Sequence, residues 1–212
     1  MADIDDFLAY VSPEVEGCPR GVMIRELTGA AIRFCRESHY IRKSQTIPLV
    51  AGNRSYPLDL GDDWEVVRAL GVKFGARGVE FKGTDYLDEN IYAWEAHEAH
   101  EPLLCYLDSV GSISTYPLMN SEVSGSIVVK VAAKPSRTSL LWVDEIHEDY
   151  LEVIAHGAKS KLMMIKSGDW YDPKQASFCA NEFKQGYLEA KREVFKGFSN
   201  ETLESNPVTM GV

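Results

Sequence analysis

The densest group of residues that could do chemistry is Glu95–Glu101, in which His97 and His100 stand among glutamates. A zinc peptidase motif needs two histidines four residues apart on one helical face, with a glutamate directly after the first. Here the two histidines are three apart, and Pro102 would soon end any helix. We therefore predict a solvated acidic segment, and the alternative is a small metal-dependent enzyme that uses the His97 and His100 region.

A second candidate metal group lies on one face of a predicted helix. Glu148, Glu152 and His156 recur every four residues, a geometry that can present carboxylates and an imidazole to a bundle core. The other C-terminal helix offers glutamates but no histidine, so a di-metal carboxylate site is incomplete. The sequence also lacks Gly-x-Ser-x-Gly, Walker and Gly-x-Gly-x-x-Gly motifs. We predict no catalytic residue, no metal ligand and no cofactor, and therefore a protein that is not an enzyme.

The overall composition excludes several classes of protein. The 212 residues include 22 Lys and Arg against 32 Asp and Glu, a net charge of −10, whereas proteins that wrap nucleic acid need clustered cations. No run approaches the roughly 18 apolar residues of a membrane span, and the acidic N-terminus is unlike a secretory signal, so we predict no membrane partner. Four scattered cysteines are predicted to be reduced and mostly buried.

Hydrophobic periodicity divides the N-terminal two thirds into helical and extended parts. Apolar residues at three- to four-residue spacing predict an amphipathic helix over 21–39, preceded by a short helix, Ile4–Val11. From about residue 42, short runs rich in β-branched and aromatic residues alternate with turn residues. This pattern predicts antiparallel hairpins, two of which would turn at 51–54 and at 75–78.

The helical period returns in the C-terminal third. Asp144 is predicted to cap one helix, which Gly168 would end, and Asp172 followed by Pro173 is predicted to begin another that Gly197 would end. The connection is so short that the two helices must be antiparallel neighbours. Glycine and alanine residues on both helices would allow them to approach closely.

Together these patterns predict an α+β protein. Its helical bundle would be built from the N-terminal helix and the C-terminal helical hairpin, with an inserted antiparallel β lobe. We expect residues 1–41 and 134–197 in the bundle and residues 42–133 in the β lobe. Residues 198–212 have no period and are predicted to form an extended docking tail.

Several short motifs occur in a characteristic order. In the N-terminal half, a Gly17-Cys18-Pro19 loop leads into a helix that ends with Phe34-Cys35, and the hairpin region Pro48–Leu60 follows. Trp94 then precedes an aromatic stretch that contains Tyr106. The C-terminal members of the series are Lys134-Pro135-Ser136, Asp144, His156–Leu162, Gly168–Pro173, Ala176, Phe183 and Ala190.

In this order the motifs resemble the head-to-tail adaptor family of tailed bacteriophages, which includes the tail tubular protein A of short-tailed phages. The resemblance covers residues 7–197. It implies a structural virion protein that forms a ring, commonly of twelve subunits, between the portal protein and the tail nozzle or tube. DNA would pass through its channel without specific binding. The implied location is the head–tail interface of the virion, after synthesis in the host cytoplasm.

Two segments are predicted to contact the portal or a neighbouring subunit: the turn between the two C-terminal helices and the C-terminal tail. For Trp170 and Tyr171 in that turn, the alternative is a packed cap of the helical hairpin. Aromatic side chains dominate interface hot spots, and apolar residues spaced among polar ones suit an extended docking strand. A non-phage interaction protein is the alternative outside this family. The candidate contact residues are Trp170, Tyr171, Phe198, Leu203, Val208, Met210 and Val212.

Overall fold

The computed structural model describes residues 4–109, 111–122, 124–140 and 142–196. In these ranges the helices are Ile4–Val11 (α1), Arg20–Ser38 (α2), Thr84–Asn90 (α3), Trp142–Leu162 (α4) and Pro173–Phe195 (α5). The strands are Arg42–Pro48 (β1), Ser55–Pro57 (β2), Trp64–Phe74 (β3), Arg77–Phe81 (β4), Glu98–Ala99 (β5), Leu104–Ser109 (β6), Ser112–Tyr116 (β7), Leu118–Met119 (β8) and Ser126–Pro135 (β9). None of these helices combines the length and the apolar character that crossing a membrane requires.

The two N-terminal helices form where the sequence predicts them. The predicted bounds of α1 are confirmed, and α2 lies within one residue of the predicted 21–39. Leu27 and Phe34 of α2 are fully buried against the other helices. Helix α2 ends because His39 has a left-handed backbone, with φ 56°, and its amide donates to the Cys35 carbonyl oxygen at 3.0 Å.

Helices α4 and α5 form the predicted antiparallel hairpin with closely packed axes. The Asp172 carboxylate caps α5 as predicted, because it accepts the Lys174 and Gln175 amides at 3.0 Å. Gly186 on α5 faces Val153 on α4 so closely that a β carbon would lie 2.5 Å from the valine γ carbons. The small residue therefore sets the distance between the two helices.

The predicted ends of α4 are wrong. The helix begins at Trp142 rather than at an Asp144 cap, and it ends at Leu162 rather than at Gly168. Gly168 lies in the following turn without a positive φ, and Tyr150 has a non-helical backbone inside α4, with φ −131°. The predicted end of α5 at Gly197 lies outside the described residues.

Seven strands form one mixed sheet in the order β1-β9-β3-β4-β6-β7-β2. All adjacent pairs are antiparallel except β4 and β6, which are parallel and are joined by a segment that contains α3. The edge strands approach each other, since the Gln45 side chain of β1 donates to the Pro57 carbonyl oxygen at 3.4 Å and accepts the Asp59 amide at 3.0 Å. The sheet is thus nearly closed.

The fold-class prediction is wrong in its architecture. The protein is α+β, but it is built on a seven-stranded, nearly closed mixed sheet rather than as a helical bundle with an inserted antiparallel lobe. The predicted hairpin at 51–54 does not form, because β1 pairs with β9 and β2 pairs with β7. The hairpin at 75–78 does form, with Phe74 opposite Arg77. Alternating hydrophobicity indicates a strand but does not specify its partner or direction.

Most of the buried residues form a helical core and a sheet core that meet along β3 and β9, and a third, smaller cluster contains Leu87, Leu104, Tyr106 and Tyr116. The helical core includes Phe7, Trp142 and Phe183, and the sheet core is rich in valine and isoleucine. Trp64 of β3 and Ala133 of β9 pack into the helical core, so the sheet packs directly against the helices. The four cysteines are free and buried, which confirms their predicted state.

Candidate functional site

Trp170 and Tyr171 lie in the turn between α4 and α5, in different surroundings. The Trp170 indole nitrogen donates to the Leu162 carbonyl oxygen at 3.1 Å. The indole ring also covers Gly168, where a β carbon would lie 2.3 Å from the ring. Trp170 is half-buried, whereas Tyr171 is exposed. The indole therefore holds the turn together, and the Tyr171 ring is accessible to another protein.

An acidic cleft of about 450 Å³ lies beside Trp170, next to the loop that follows α1. Its walls carry the carboxylates of Glu14, Glu16 and Asp169. The buried Lys159 ammonium of α4 donates to Glu14 at 2.6 Å and neutralises one of them. The cleft therefore remains acidic on balance.

The other predicted contact residues belong to the C-terminal tail. Helix α5 ends at Phe195, and Lys196 is the last described residue before that tail. The residues Phe198, Leu203, Val208, Met210 and Val212 lie outside the described residues.

Three large apolar side chains on α5 are exposed, and the sequence analysis did not predict them as a candidate surface. Phe178, Leu188 and Phe195 are 52%, 38% and 73% exposed. At 100° per residue they fall opposite the buried stripe that contains Cys179 and Phe183. A helical wheel of α5 would have separated the two groups. We call Phe178, Leu188 and Phe195 the α5 outer face.

A second group of exposed apolar residues lies in the part of the chain that runs from β4 to the start of β6. Phe81 is in β4 and pairs with Cys105 of β6, while Leu103 directly precedes β6. Tyr86 is in α3, and Tyr92 is 95% exposed. These residues come from separate short elements, so no periodic pattern predicts the group. We call Phe81, Tyr86, Tyr92 and Leu103 the sheet patch.

A third surface is a basic cleft of about 410 Å³ at the C-terminal ends of α2 and α5. His39, Arg42 and Arg68 line it, and Lys191 lies close enough to act on His39. Burial lowers the pKa of His39, and Lys191, Arg68 and Arg42 lower it further, whereas Glu37 opposes them. The remaining wall is mainly apolar and includes Leu70, Val194 and Phe195.

Two tyrosine–carboxylate hydrogen bonds hold the elements around this basic cleft. The Tyr40 hydroxyl donates to Asp149 of α4 at 2.7 Å, and the Tyr150 hydroxyl donates to Glu193 of α5. The two tyrosine rings pack edge to face at 5.0 Å. Burial, followed by the neighbouring carboxylate, raises the pKa of both hydroxyls. The ends of α2 and α5 are thus tied to the non-helical position in α4.

His97 and His100 are not brought together with other metal ligands. His97 Nδ1 lies 2.7 Å from the Tyr116 hydroxyl, and His100 is exposed. In the second candidate group, the Glu148 side chain is outside the described residues, and the His156 ring lies against Phe178. The described parts of the chain hold no cluster of three or more histidine, cysteine or acidic residues that is arranged for a metal.

The comparison with known proteins identifies the family. No curated protein matches the sequence. A family model described as SU10 adaptor protein matches residues 3–209, which is nearly the whole chain. This match confirms the resemblance to phage adaptors that the ordered motifs indicate. The chain belongs to the SU10 adaptor protein family of structural phage proteins.

Proposed function

We propose that this protein is a head-to-tail adaptor that forms a ring of twelve subunits between the portal protein and the tail nozzle or tube. The observation that carries the proposal is the family match over residues 3–209. In the virion the ring would lie at the head–tail interface, after synthesis in the host cytoplasm. During genome ejection, DNA would pass through its channel without specific binding. The protein would have no catalytic activity.

The two exposed apolar surfaces support a ring. Contacts around a ring are heterologous, which means that one face of a subunit binds a different face of the next. The α5 outer face and the sheet patch belong to different parts of the fold and contain aromatic residues, which are enriched in interfaces. We assign one to each side of the subunit contact, which should bury at least about 1,000 Å² in total.

The charge of the chain suits a channel for DNA. Each subunit carries a net charge of −10, so twelve subunits would surround the duplex with an acidic wall. Phosphates are repelled by such a wall, whereas clustered lysine and arginine would hold them. An acidic ring would therefore let DNA slide.

The turn between α4 and α5 and the C-terminal tail are the proposed points of attachment to the portal. Tyr171 is exposed at that turn, beside Trp170. A deletion of residues 199–212 removes none of the described residues, so we expect the fold to persist. Attachment to portal-bearing capsids should be lost. Attachment of the deletion variant at wild-type affinity would refute this assignment.

Electron microscopy of the protein mixed with portal-bearing capsids tests the ring directly. We expect wild-type protein to form rings at the portal vertex, and Phe178→Asp or Tyr92→Asp to abolish them. Val50→Asp is the matched control, because Val50 is 54% exposed but belongs to neither surface. An equimolar mixture of the two ring-deficient variants should stop at dimers, since each retains one intact face.

Two results would overturn the proposal. One is the absence of a ring on portal-bearing capsids with wild-type protein. The other is a stoichiometric catalytic metal that is lost on His97→Ala, measured by elemental analysis of the purified protein. A monomer in free solution would not decide the question, because subunit contacts in such assemblies can depend on the portal.

A further inference from the structure

The basic cleft is a concentration of positive charge on an acidic protein. Arg42, Arg68 and Lys191 contribute three cations, and in the described part of the chain none of them is paired with a carboxylate. The Arg42 guanidinium donates to the Val194 carbonyl oxygen at 3.1 Å, which holds it at the wall of the cleft. Glu37, the acidic group that acts on His39, lies 3.5 Å from Arg36.

The partial negative charges at the ends of two helices offset only part of this positive charge. The C-terminus of a helix carries about half a negative charge, and α2 and α5 both end at the cleft. Together they offset about one of the three cations. The carboxylates of Asp149 and Glu193 near the cleft accept hydrogen bonds from Tyr40 and Tyr150. Among the described residues Arg68 and Lys191 have no carboxylate partner, and the cleft has an exposed apolar wall formed by Leu70 and Phe195.

The segment that follows α5 has the complementary chemistry. Residues 197–212 contain Glu201 and Glu204, with Leu203 between them, and no lysine or arginine. Their two negative charges complement the Arg68 and Lys191 side chains, and the leucine complements the apolar wall. A partner of this composition satisfies both the charge and the hydrophobic surface of the cleft.

The chain also enters this segment at the mouth of the cleft. Phe195 lines the cleft, and Lys196 is the next residue. Glu201 follows Lys196 by five residues, which span at most about 18 Å when extended. Glu201 and Glu204 of the same chain can therefore reach Arg68 and Lys191 without a second subunit.

We propose that the basic cleft of the free adaptor binds the Glu201–Glu204 segment of its own chain. The two glutamates lie against Arg68 and Lys191, and Leu203 lies against Leu70 and Phe195. The contact stores the tail on its own subunit until an assembly partner takes it. Phe195 also belongs to the α5 outer face, so the tail must leave the cleft before that face binds a neighbouring subunit. The inference itself depends only on the charge and position of the cleft and does not require a ring.

Cleavage of the full-length chain by a glutamate-specific protease tests the contact, because bound glutamates are protected. We expect Arg68→Glu with Lys191→Glu to speed cleavage after Glu201 by about tenfold or more. Lys73→Glu with Lys174→Glu is the matched control, since it makes the same charge change outside the cleft and should leave the rate unchanged. High salt should raise the wild-type rate towards that of the cleft variant.

A second readout is the pKa of His39, measured by NMR titration. Bound glutamates raise this pKa, so Glu201→Gln with Glu204→Gln should lower it in the wild-type background. The same tail change should have no effect when Arg68→Glu and Lys191→Glu are already present. Far-UV circular dichroism and urea unfolding confirm that each variant is folded.

Three outcomes would overturn the proposal. Equal cleavage rates in the cleft and control variants would show that the tail is not bound there. Protection that disappears on hundredfold dilution would assign the cleft to the tail of a second copy. Unchanged protection combined with weaker retention of duplex DNA by the cleft variant would identify a phosphate-binding surface instead.

Discussion

The contact between α4 and α5 leaves no room for a side chain at Gly186. A β carbon added there would lie 2.5 Å from both γ carbons of Val153 and 3.1 Å from its β carbon. Rotation of the valine about χ1 cannot clear this space, because its β carbon does not move and β-branched side chains have one strongly preferred rotamer in a helix. Gly186→Ala therefore forces the two helices apart.

The expected magnitude follows from two opposing effects. Alanine favours a helix interior over glycine by about 1 kcal/mol, whereas overpacking a close-packed core costs about 1–3 kcal/mol. Because the clash involves the rigid part of Val153, we take the upper half of that cost. Gly186→Ala should lower the free energy of unfolding by about 1–2 kcal/mol. Gly29→Ala on α2 should raise it by about 0.5–1 kcal/mol, since no atom beyond its chain neighbours and the adjacent helix backbone lies within 4 Å of the added β carbon.

Urea unfolding followed by circular dichroism measures both changes, provided that the m-values are equal. Combining Gly186→Ala with Val153→Ala should recover part of the loss, with a coupling energy of about 1 kcal/mol or more. A Gly186→Ala protein at least as stable as wild type would refute the reasoning. So would equal effects of the two glycine substitutions, because only the close approach to Val153 distinguishes them.

Three further predictions concern packing, capping and pH. Phe183→Ala should cost about 3–5 kcal/mol in urea unfolding, because the ring is only 2% exposed; a loss below about 1 kcal/mol would contradict its place in the core. Asp172→Ala should cost about 1 kcal/mol through the two lost cap bonds and Asp172→Asn much less, and equal losses would exclude a capping role. Burial raises the pKa of the Cys105 thiol from 9.0 to about 12, so the folded state keeps a proton that the unfolded state loses above pH 9. The thiol should then make the free energy of unfolding fall with rising pH by up to about 1.4 kcal/mol per pH unit. In Cys105→Ala the free energy of unfolding should decline less steeply between about pH 9 and 10.5. Parallel declines in the two proteins would contradict the raised pKa of Cys105.

Local chemistry is enough to predict most of the helices. The Asp172 cap acts on amides two and three residues away, and the stripes of α2 and α5 repeat every three to four residues. All of this information lies within one or two turns of the chain. The hairpin between β3 and β4 is equally local, because two residues connect Phe74 to Arg77.

Long-range packing decides the rest of the fold. Strand β1 pairs with β9, about eighty residues later, rather than with its neighbour β2. Strands β4 and β6 are parallel although every other pair in the large sheet is antiparallel. A period-two pattern does not depend on which strand is the partner or on whether the two strands run parallel. The sequence alone therefore predicted strands correctly but not their pairing in the sheet.

The candidate surfaces were also predicted in part from the sequence, and the rest depended on the tertiary structure. Trp170 and Tyr171 were predicted from their place between two helices, but only the structure separates the packed indole from the exposed phenol. Periodicity alone also places Phe178 away from the buried stripe of α5. Whether that face is covered depends on elements distant in the chain.

The basic cleft could not be predicted from spacing. Arg42, Arg68 and Lys191 belong to β1, β3 and α5, and each is an ordinary exposed or half-buried residue of its own element. They come together because the helical core and the sheet core join along β3 and β9, which brings the ends of α2 and α5 to the same place. By itself the sequence determined most of the helices, the acidic charge and the family motifs, because these depend on composition or on neighbours in the chain. Only the tertiary structure decided where charges meet, because Coulomb interactions depend on distance in space and not on separation in sequence.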